Sequence, residues 1–233
     1  MKVLEIKDLV KIYDDSAIKV RAVDNVSLSF GQGEFSAIVG PSGSGKTTLL
    51  NLIGGLDSIT EGEILINSTN IGTLSSSKLI NFRLMNIGFV FQAYNLIPVM
   101  TAKENIEFIM HLQGMGRRKR HERAMELLDE VGLADRADSR PSRLSGGQQQ
   151  RVAVARALAS VPRFILADEP TANLDTKSAE NLLDIMERLN REEKVTFIFS
   201  THDQRVMKKA RRVVTLEDGH VISDIRNDYN VDY

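Results

Sequence analysis

A glycine-rich segment between two apolar stretches holds the residues best suited to chemistry. It reads Gly40-Pro41-Ser42-Gly43-Ser44-Gly45-Lys46-Thr47, followed by Thr48, and matches the pattern G-x-x-x-x-G-K-[ST]. Glycines let the main chain wrap around an anion with several N–H groups pointing inward. We therefore expect this phosphate loop (residues 40–48) to bind a nucleotide, with Lys46 at the β- and γ-phosphates and the Thr47 hydroxyl on Mg²⁺.

The flanks of the phosphate loop have the character that this motif requires. Phe35 to Val39 is a short, continuous apolar run, which is typical of a strand buried on both faces of a parallel sheet. Thr47 to Ile53 reads as a helix, whose positive end would face the phosphates. The motif alone predicts nucleotide binding but not the biological function, because kinases, GTPases and motor ATPases share it.

Two acids follow another apolar run. Phe164 to Ala167 is a predicted strand, and Asp168 and Glu169 stand at its carboxyl end, where α/β proteins bind ligands. We expect Asp168 to hold Mg²⁺ and Glu169 to orient the attacking water or accept its proton. Taken alone, the pair could equally be two surface acids at a solvated strand end.

Two further polar residues end predicted strands. His202 follows the run from Phe197 to Ser200, and Gln92 follows the run from Ile87 to Phe91. A lone histidine is more often structural, but its place at a second strand end favours a γ-phosphate sensor. Gln92 is expected to help place Mg²⁺ or water.

A second anion-binding device lies further along the chain. Ser145 precedes Gly146, Gly147 and Gln148 at the start of a helix predicted for residues 149–159. Ser145 can cap this helix, and the two glycines expose N–H groups at its positive end. One small chain therefore carries two phosphate-binding loops.

The chain resembles the ABC ATPases at this point. Leu144 to Gln148 reads LSGGQ, is followed by QQRVAVARAL, and is similar to the signature motif of that family. The resemblance runs from about Val3 to Ile222. It implies a head-to-tail dimer in which the signature loop of one copy (Ser145, Gly146, Gly147 and Gln148) closes on ATP held by the phosphate loop of the other.

The resemblance also implies roles for single residues. Tyr13 matches the aromatic residue that stacks on adenine, Gln92 the glutamine that contacts the partner, and Glu169 the catalytic glutamate. His202 matches the switch histidine. Asn173-Leu174-Asp175 matches the loop that faces the other subunit. Ala172 is a departure, since relatives often have glycine there.

The element pattern and the resemblance together predict an α/β fold. Strands alternate with helices after residue 164, and residues 100–132 show helical spacing with no strand between. We expect a P-loop NTPase core with a parallel sheet, an N-terminal antiparallel β subdomain and an inserted α-helical subdomain. The predicted division of this single ABC ATPase domain is residues 1–93 and 151–223 for the core, 94–150 for the helical subdomain and 224–233 for a polar tail.

Several segments indicate a branch of the family. Residues 50–57, 87–92, 95–98 and 104–105 resemble the bacterial lipoprotein-release and macrolide-export ATPases, which implies a separate integral membrane permease as partner. Phe82, Phe89, Phe91 and Tyr94 surround Gln92, and some of them are expected to line the groove for its coupling helix. Similar ATPases of cell division gate a cell-wall enzyme, and this alternative stays open. A soluble ABC ATPase and an inactive scaffold are less favoured, because 233 residues hold neither a second cassette nor a long coiled coil, and Lys46 and the other key polar residues are intact.

Composition limits the remaining possibilities. Hydrophobic residues make up 42% of the chain, the formal net charge is -1, and cysteine is absent. Disulfides and thiolate metal sites are therefore excluded, and no global attraction to nucleic acid is expected. No apolar run approaches the roughly 20 residues of a membrane span. We expect a cytoplasmic protein that is peripheral on the inner face of the membrane, and we read the basic run 117–123 as a solvated helix start.

Overall fold

The computed structural model describes residues 1–14 and 19–227. This part of the chain forms two sheets with helices around them. The strands are β1 (Lys2–Tyr13), β2 (Val20–Gly31), β3 (Phe35–Val39), β4 (Glu61–Ile66), β5 (Thr69–Asn70), β6 (Ile87–Val90), β7 (Phe164–Asp168), β8 (Phe197–Ser200), β9 (Arg212–Glu217) and β10 (His220–Arg226). The helices are α1 (Lys46–Ile53), α2 (Ser76–Asn86), α3 (Ala102–Leu112), α4 (Arg117–Glu130), α5 (Gly146–Ala159), α6 (Thr176–Glu193) and α7 (Gln204–Lys209).

The larger sheet positions the polar residues singled out above. Its strand order is β10-β9-β3-β8-β7-β6, and every pairing is parallel except that between β10 and β9. All five residues of β3 are buried, as expected for a strand covered on both faces. Because the strands are parallel, the phosphate loop, Gln92, Glu169 and Thr201 emerge at the same edge, after β3, β6, β7 and β8.

The smaller sheet is antiparallel, with the order β2-β1-β4-β5. Its inward residues, such as Leu4 and Ile64, share one hydrophobic core with Leu49 of α1 and Ile198 of the larger sheet. This packing holds α1, and therefore the phosphate loop, between the two sheets.

A second core covers the other face of the larger sheet. It joins Ile106 of α3, Leu127 of α4 and Val152 of α5 to Phe197 of β8. Helix α5 is mostly buried, because small and apolar residues fill most of its inward positions. The helical insertion therefore packs directly on the sheet that carries the site.

The predicted fold class is confirmed, and a few boundaries differ. The predicted boundary between residues 150 and 151 falls inside α5, because that helix continues without a break from the signature loop into the core. Residues 224–226, predicted as tail, belong to β10, where they pair with β9. Residues 228–233 lie outside the described part. Within the described residues, no helix has both the length and the apolar character needed to cross a membrane.

Candidate nucleotide site

The phosphate loop is shaped by close main-chain contacts. Gly40 has φ +153°, and a Cβ there would lie 2.0 Å from the carbonyl oxygen of Leu216. Gly45 has φ +99°, and its Cβ would lie 2.2 Å from the carbonyl oxygen of Ala22. Real side chains do not fit at such distances, so these two positions require glycine. The loop is thereby pressed against β2 and β9.

Lys46 lies inside this loop. Its side chain is largely buried, and Nζ donates to the carbonyl oxygens of Gly40 and Pro41, both at 2.9 Å. The charge is thus held at the mouth of the loop, where a phosphate can take over these hydrogen bonds.

A cavity of about 720 Å³ opens over the loop. This volume falls in the range of small-molecule sites. The sequence-predicted residues that line it are Gly40, Pro41, Ser42, Gly43, Gly45, Lys46, Thr47, Thr48, Gln92, Glu169 and His202. Ala172 also lines it, together with residues 20–22, 218 and 219. The side chain of Ser44 turns inward and is 2% exposed.

Thr47 and Asp168 meet below the cavity. The Thr47 hydroxyl donates to Oδ1 of Asp168 at 3.3 Å. Burial raises the pKa of the Asp168 carboxyl above its usual value, and the Thr47 hydroxyl partly opposes this shift. A hydroxyl and a carboxylate are hard oxygen ligands that suit Mg²⁺, which normally completes its shell with phosphates and water. Among residues 1–14 and 19–227 no group of three His, Cys, Asp or Glu side chains could hold a metal alone.

Glu169 is held from two sides. Its Oε1 lies 2.7 Å from Nδ1 of His202, and its Oε2 accepts from the Thr201 hydroxyl at 3.0 Å. The Glu169 backbone has φ +45°, a sparsely populated conformation that costs energy and commonly marks functional sites. The carboxylate is 17% exposed and His202 is 75% exposed, so the pair faces the cavity from a fixed base.

Tyr13 does not line the cavity. It ends β1, and its hydroxyl donates to Oδ2 of Asp57 at 2.6 Å. Its neighbour Thr48 lines the cavity, so Tyr13 borders the site. Its predicted role at the adenine stays a prediction.

The signature loop lies apart from this cavity. Ser145 caps α5 through a capping box, in which its Oγ accepts from the N–H of Gln148 at 3.3 Å. Ser145, Gly147 and Gln148 line a separate cleft of about 220 Å³ beside Ser178. The phosphate loop and the signature loop of one chain therefore line different cavities.

Two residues of α5 near the site were not predicted from the sequence. The fully buried Gln150 donates from Nε2 to the carbonyl oxygens of Phe91 at 3.2 Å and Pro170 at 2.9 Å, the neighbours of Gln92 and Glu169. Arg156 donates to the carbonyl oxygens of residues 94 and 95, which are both in the left-handed region. One sequence signal could have indicated Gln150: it is a polar residue at helical spacing from the alanines and valines that α5 buries.

A groove of about 440 Å³ lies on the far side of the Gln92 segment. Phe89 and Phe91 line it with parallel rings 5.6 Å apart. Phe82 and Tyr94 do not line it. Leu112 is 53% exposed there, and the half-buried Arg156 also lines the groove. None of the residues lining this groove is acidic.

Comparison with known proteins identifies the family. Residues 23–172 match the family model described as "ABC transporter". An uncharacterized ABC transporter ATP-binding protein of Thermotoga maritima is 47% identical over 220 residues, which cover 94% of both chains. The lipoprotein-releasing system ATP-binding protein LolD 1 of Caulobacter vibrioides is 45% identical over 97% of both chains.

Two further similarities concern a longer protein and solved structures. The macrolide export ATP-binding/permease protein MacB of Hyphomonas neptunium is 46% identical over 96% of this chain, which spans only 35% of that protein. The cassette MJ0796 of Methanocaldococcus jannaschii has been solved as a dimer, including a post-hydrolysis state with ADP and Pi. These two structures share 42% identity with the chain over 96% of its length, with TM-scores of 0.88 and 0.89. The chain therefore belongs to the ABC transporter family, as an ATP-binding cassette with ATPase activity.

Proposed function

We propose that this chain hydrolyses Mg-ATP between two copies of itself and so drives a separate membrane permease. The observation that carries this proposal is the separation of its two phosphate-binding loops. The 720 Å³ cavity holds the phosphate loop, Glu169 and His202, whereas Ser145 and Gly147 line a different cleft. A second copy placed head to tail would bring its signature loop over this cavity and supply the missing donors. The cassette MJ0796 has been solved as a dimer, which supports a dimer of this chain.

Binding begins at the phosphate loop. The N–H groups at the start of α1 and the Lys46 ammonium take the phosphates, while Tyr13 stacks on the adenine. Ser145, Gly146, Gly147 and Gln148 of the opposite copy then contact the γ-phosphate, so that ATP holds the dimer closed. This closure moves the helical insertion that packs on the sheet.

Thr47 and Asp168 would hold Mg²⁺ beneath the phosphates, with Gln92 facing the same space. When bound, the ion neutralises the charge on the β- and γ-phosphates. The two protein oxygens are already paired, so little side-chain rearrangement is needed to receive it.

Hydrolysis requires a water aligned with the bond between the β- and γ-phosphates. Glu169 is placed to orient this water and take its proton, because Thr201 and His202 fix the two carboxylate oxygens. His202, which is mostly exposed in the single chain, would also contact the γ-phosphate. Loss of the γ-phosphate removes contacts across the interface and lets the copies separate.

The partner would be a permease of the lipoprotein-release or macrolide-export type, which places the chain on the cytoplasmic face of the membrane. The names of LolD and MacB support this type, and the groove beside Phe89, Phe91 and Leu112 offers an apolar seat for a helix of the permease. A division complex that gates a cell-wall enzyme is the alternative. It would use the same catalytic residues.

The chemistry is tested with Glu169→Gln. We expect this variant to bind ATP, to lose nearly all phosphate release and to accumulate as a dimer on size exclusion with Mg-ATP. Lys46→Ala is the control, since it should lose nucleotide binding and stay monomeric. Turnover of Glu169→Gln at the wild-type rate would refute the role given to this carboxylate.

The partner is tested by affinity purification of tagged Glu169→Gln from its native membranes with Mg-ATP, again with Lys46→Ala as control. Recovery of an integral membrane protein with a large extracytoplasmic region supports the transporter type. Recovery together with a cell-wall hydrolase supports the division alternative.

A further inference from the structure

A buried lysine and a carboxylate lie behind Tyr13. The side chain of Lys11 is 6% exposed, and Nζ donates to Oδ1 of Asp57 at 2.7 Å and to the carbonyl oxygen of Ser58 at 2.8 Å. The second carboxylate oxygen of Asp57 accepts from the Tyr13 hydroxyl at 2.6 Å. One carboxylate therefore connects the lysine and the tyrosine, although Asp57 comes 44 residues after Tyr13.

The same lysine also contacts the aromatic ring. Nζ of Lys11 lies 4.7 Å from the centroid of the Tyr13 ring, within cation–π range. The hydroxyl is thus fixed at one end of the ring, and a cation covers one of its faces. Such a ring has lost most of its rotational freedom before a ligand arrives, so binding to it costs less entropy.

The charge states suit this arrangement. Burial opposes ionisation of Asp57, but hydrogen bonds from Lys11 and Tyr13 outweigh it, so the pKa of this carboxyl lies below its usual value. Burial, followed by the hydrogen bond to Asp57, raises the pKa of the Tyr13 phenol. Near neutral pH the carboxylate therefore accepts and the phenol donates.

The cluster of Lys11, Tyr13 and Asp57 lies beside the phosphate loop. Tyr13 is the last residue of β1, paired with Val20 of β2. Val20 and Thr48 both line the 720 Å³ cavity. The cluster therefore stands at the rim of the cavity, and Asp57 follows α1, the helix that starts in the phosphate loop.

We propose that Asp57 and Lys11 are positioning residues for the nucleotide base, which hold the Tyr13 ring so that its face opposite Lys11 receives the purine. This inference rests on the proposed function, in which Tyr13 stacks on the adenine of ATP. A cation on one face draws π-electron density toward itself, which favours an electron-rich purine on the other face. Without Asp57, Lys11 loses its counter-charge and Tyr13 loses its anchor.

The test is the affinity for Mg-ADP, measured by calorimetry on the whole chain. ADP probes the base and phosphate contacts without closing the dimer. Tyr13→Ala should weaken binding about fivefold or more, the usual effect of losing one base–aromatic stack. Asp57→Ala should weaken binding roughly two- to tenfold, the effect of losing one hydrogen bond that orders the ring. In the Tyr13→Ala background, Asp57→Ala should have no further effect, because the ring that it positions is absent.

The controls separate positioning from general stability. Asp224→Ala breaks a comparable ion pair with Arg212, which lies beside the start of β3, whereas the phosphate loop follows the end of that strand. This variant should lower the melting temperature without changing ADP affinity. Asp57→Asn keeps the side-chain volume and one of the two acceptor oxygens. It replaces Asp57→Ala in these measurements if Asp57→Ala does not fold.

Two results would overturn the proposal. One is an unchanged ADP affinity in both Asp57 variants while Tyr13→Ala weakens binding, which leaves the stacking role of Tyr13 intact. The other is an equal loss from Asp57→Ala with and without the Tyr13 ring. An unchanged affinity in Tyr13→Ala would instead reject the stacking assignment itself, with Lys46→Ala showing whether the phosphate site stands.

Discussion

Gln150→Met removes the two hydrogen bonds with which α5 holds the strand ends beside Gln92 and Glu169, the proposed catalytic residues. Methionine has a similar volume, so no large cavity results. Each lost bond to the carbonyl oxygens of Phe91 and Pro170 costs about 1 kcal/mol. The substitution also removes the buried Oε1 of Gln150, which has no partner within the described residues. Removing this unpaired acceptor should raise the free energy of unfolding by about 1 kcal/mol. The net cost is about 1 kcal/mol, or about 2–4 °C in melting temperature for a chain of this size.

The effect on turnover should exceed the effect on stability. Phe91 and Pro170 directly adjoin Gln92 and Glu169, so a shift of these carbonyls moves both groups relative to the water and the γ-phosphate. We expect kcat to fall about tenfold or more, since small misplacements of catalytic groups are costly. The affinity for ADP should stay within twofold, because neither bond touches the phosphate loop.

Steady-state phosphate release, ADP calorimetry and thermal melts of the same preparations give these three quantities. Gln149→Met is the matched control, since within the described residues its amide donates only to the carbonyl oxygen of Leu144 at 3.1 Å, away from both strand ends. The reasoning is wrong if Gln150→Met lowers the melting temperature and leaves kcat unchanged. It is also wrong if both variants lose the same turnover.

Three further predictions concern other parts of the chain. Burial opposes ionisation of Asp203, but hydrogen bonds led by those of Arg205 outweigh it and lower the carboxyl pKa from 3.8 to about 2. Asp203→Asn should therefore lower the free energy of unfolding by about 1 kcal/mol at pH 7, allowing for solvent screening. This loss should shrink as the pH falls from 3.8 to about 2, because the wild-type carboxylate becomes protonated there, and urea melts at several pH values would show it. Gly147→Ala places a Cβ 2.9 Å from the Ser178 side chain, so ATP-induced dimers should be lost on size exclusion while ADP affinity is kept. Leu112→Asp should abolish copurification of the permease and leave the ATPase rate of the isolated chain unchanged.

The sequence predicted what depends on neighbouring residues. The phosphate loop, its flanking strand and helix, and the acids at the end of β7 are contiguous patterns, and the loop and the acids lie at one edge of the sheet as expected. The bonds from Gln150 and Arg156 to the segment 91–95 could not be predicted, because they join positions about 60 residues apart through side-chain amide and guanidinium groups. Helix α2 buries none of its residues, so its apolar pattern was too weak to place its ends.

The separation of the two phosphate-binding loops has a genetic consequence. In a head-to-tail pair, each nucleotide site takes its phosphate loop from one copy and its signature loop from the other. Consider a mixed pair of one copy with Lys46→Ala and one copy with Gly147→Ala. One site then combines the altered phosphate loop of the first copy with the altered signature loop of the second, and the other site combines the two wild-type loops. Two alleles that are each null alone should then restore one working site when expressed together. Two different alleles of the phosphate loop should fail to complement each other, since every site in their mixed pair carries a lesion.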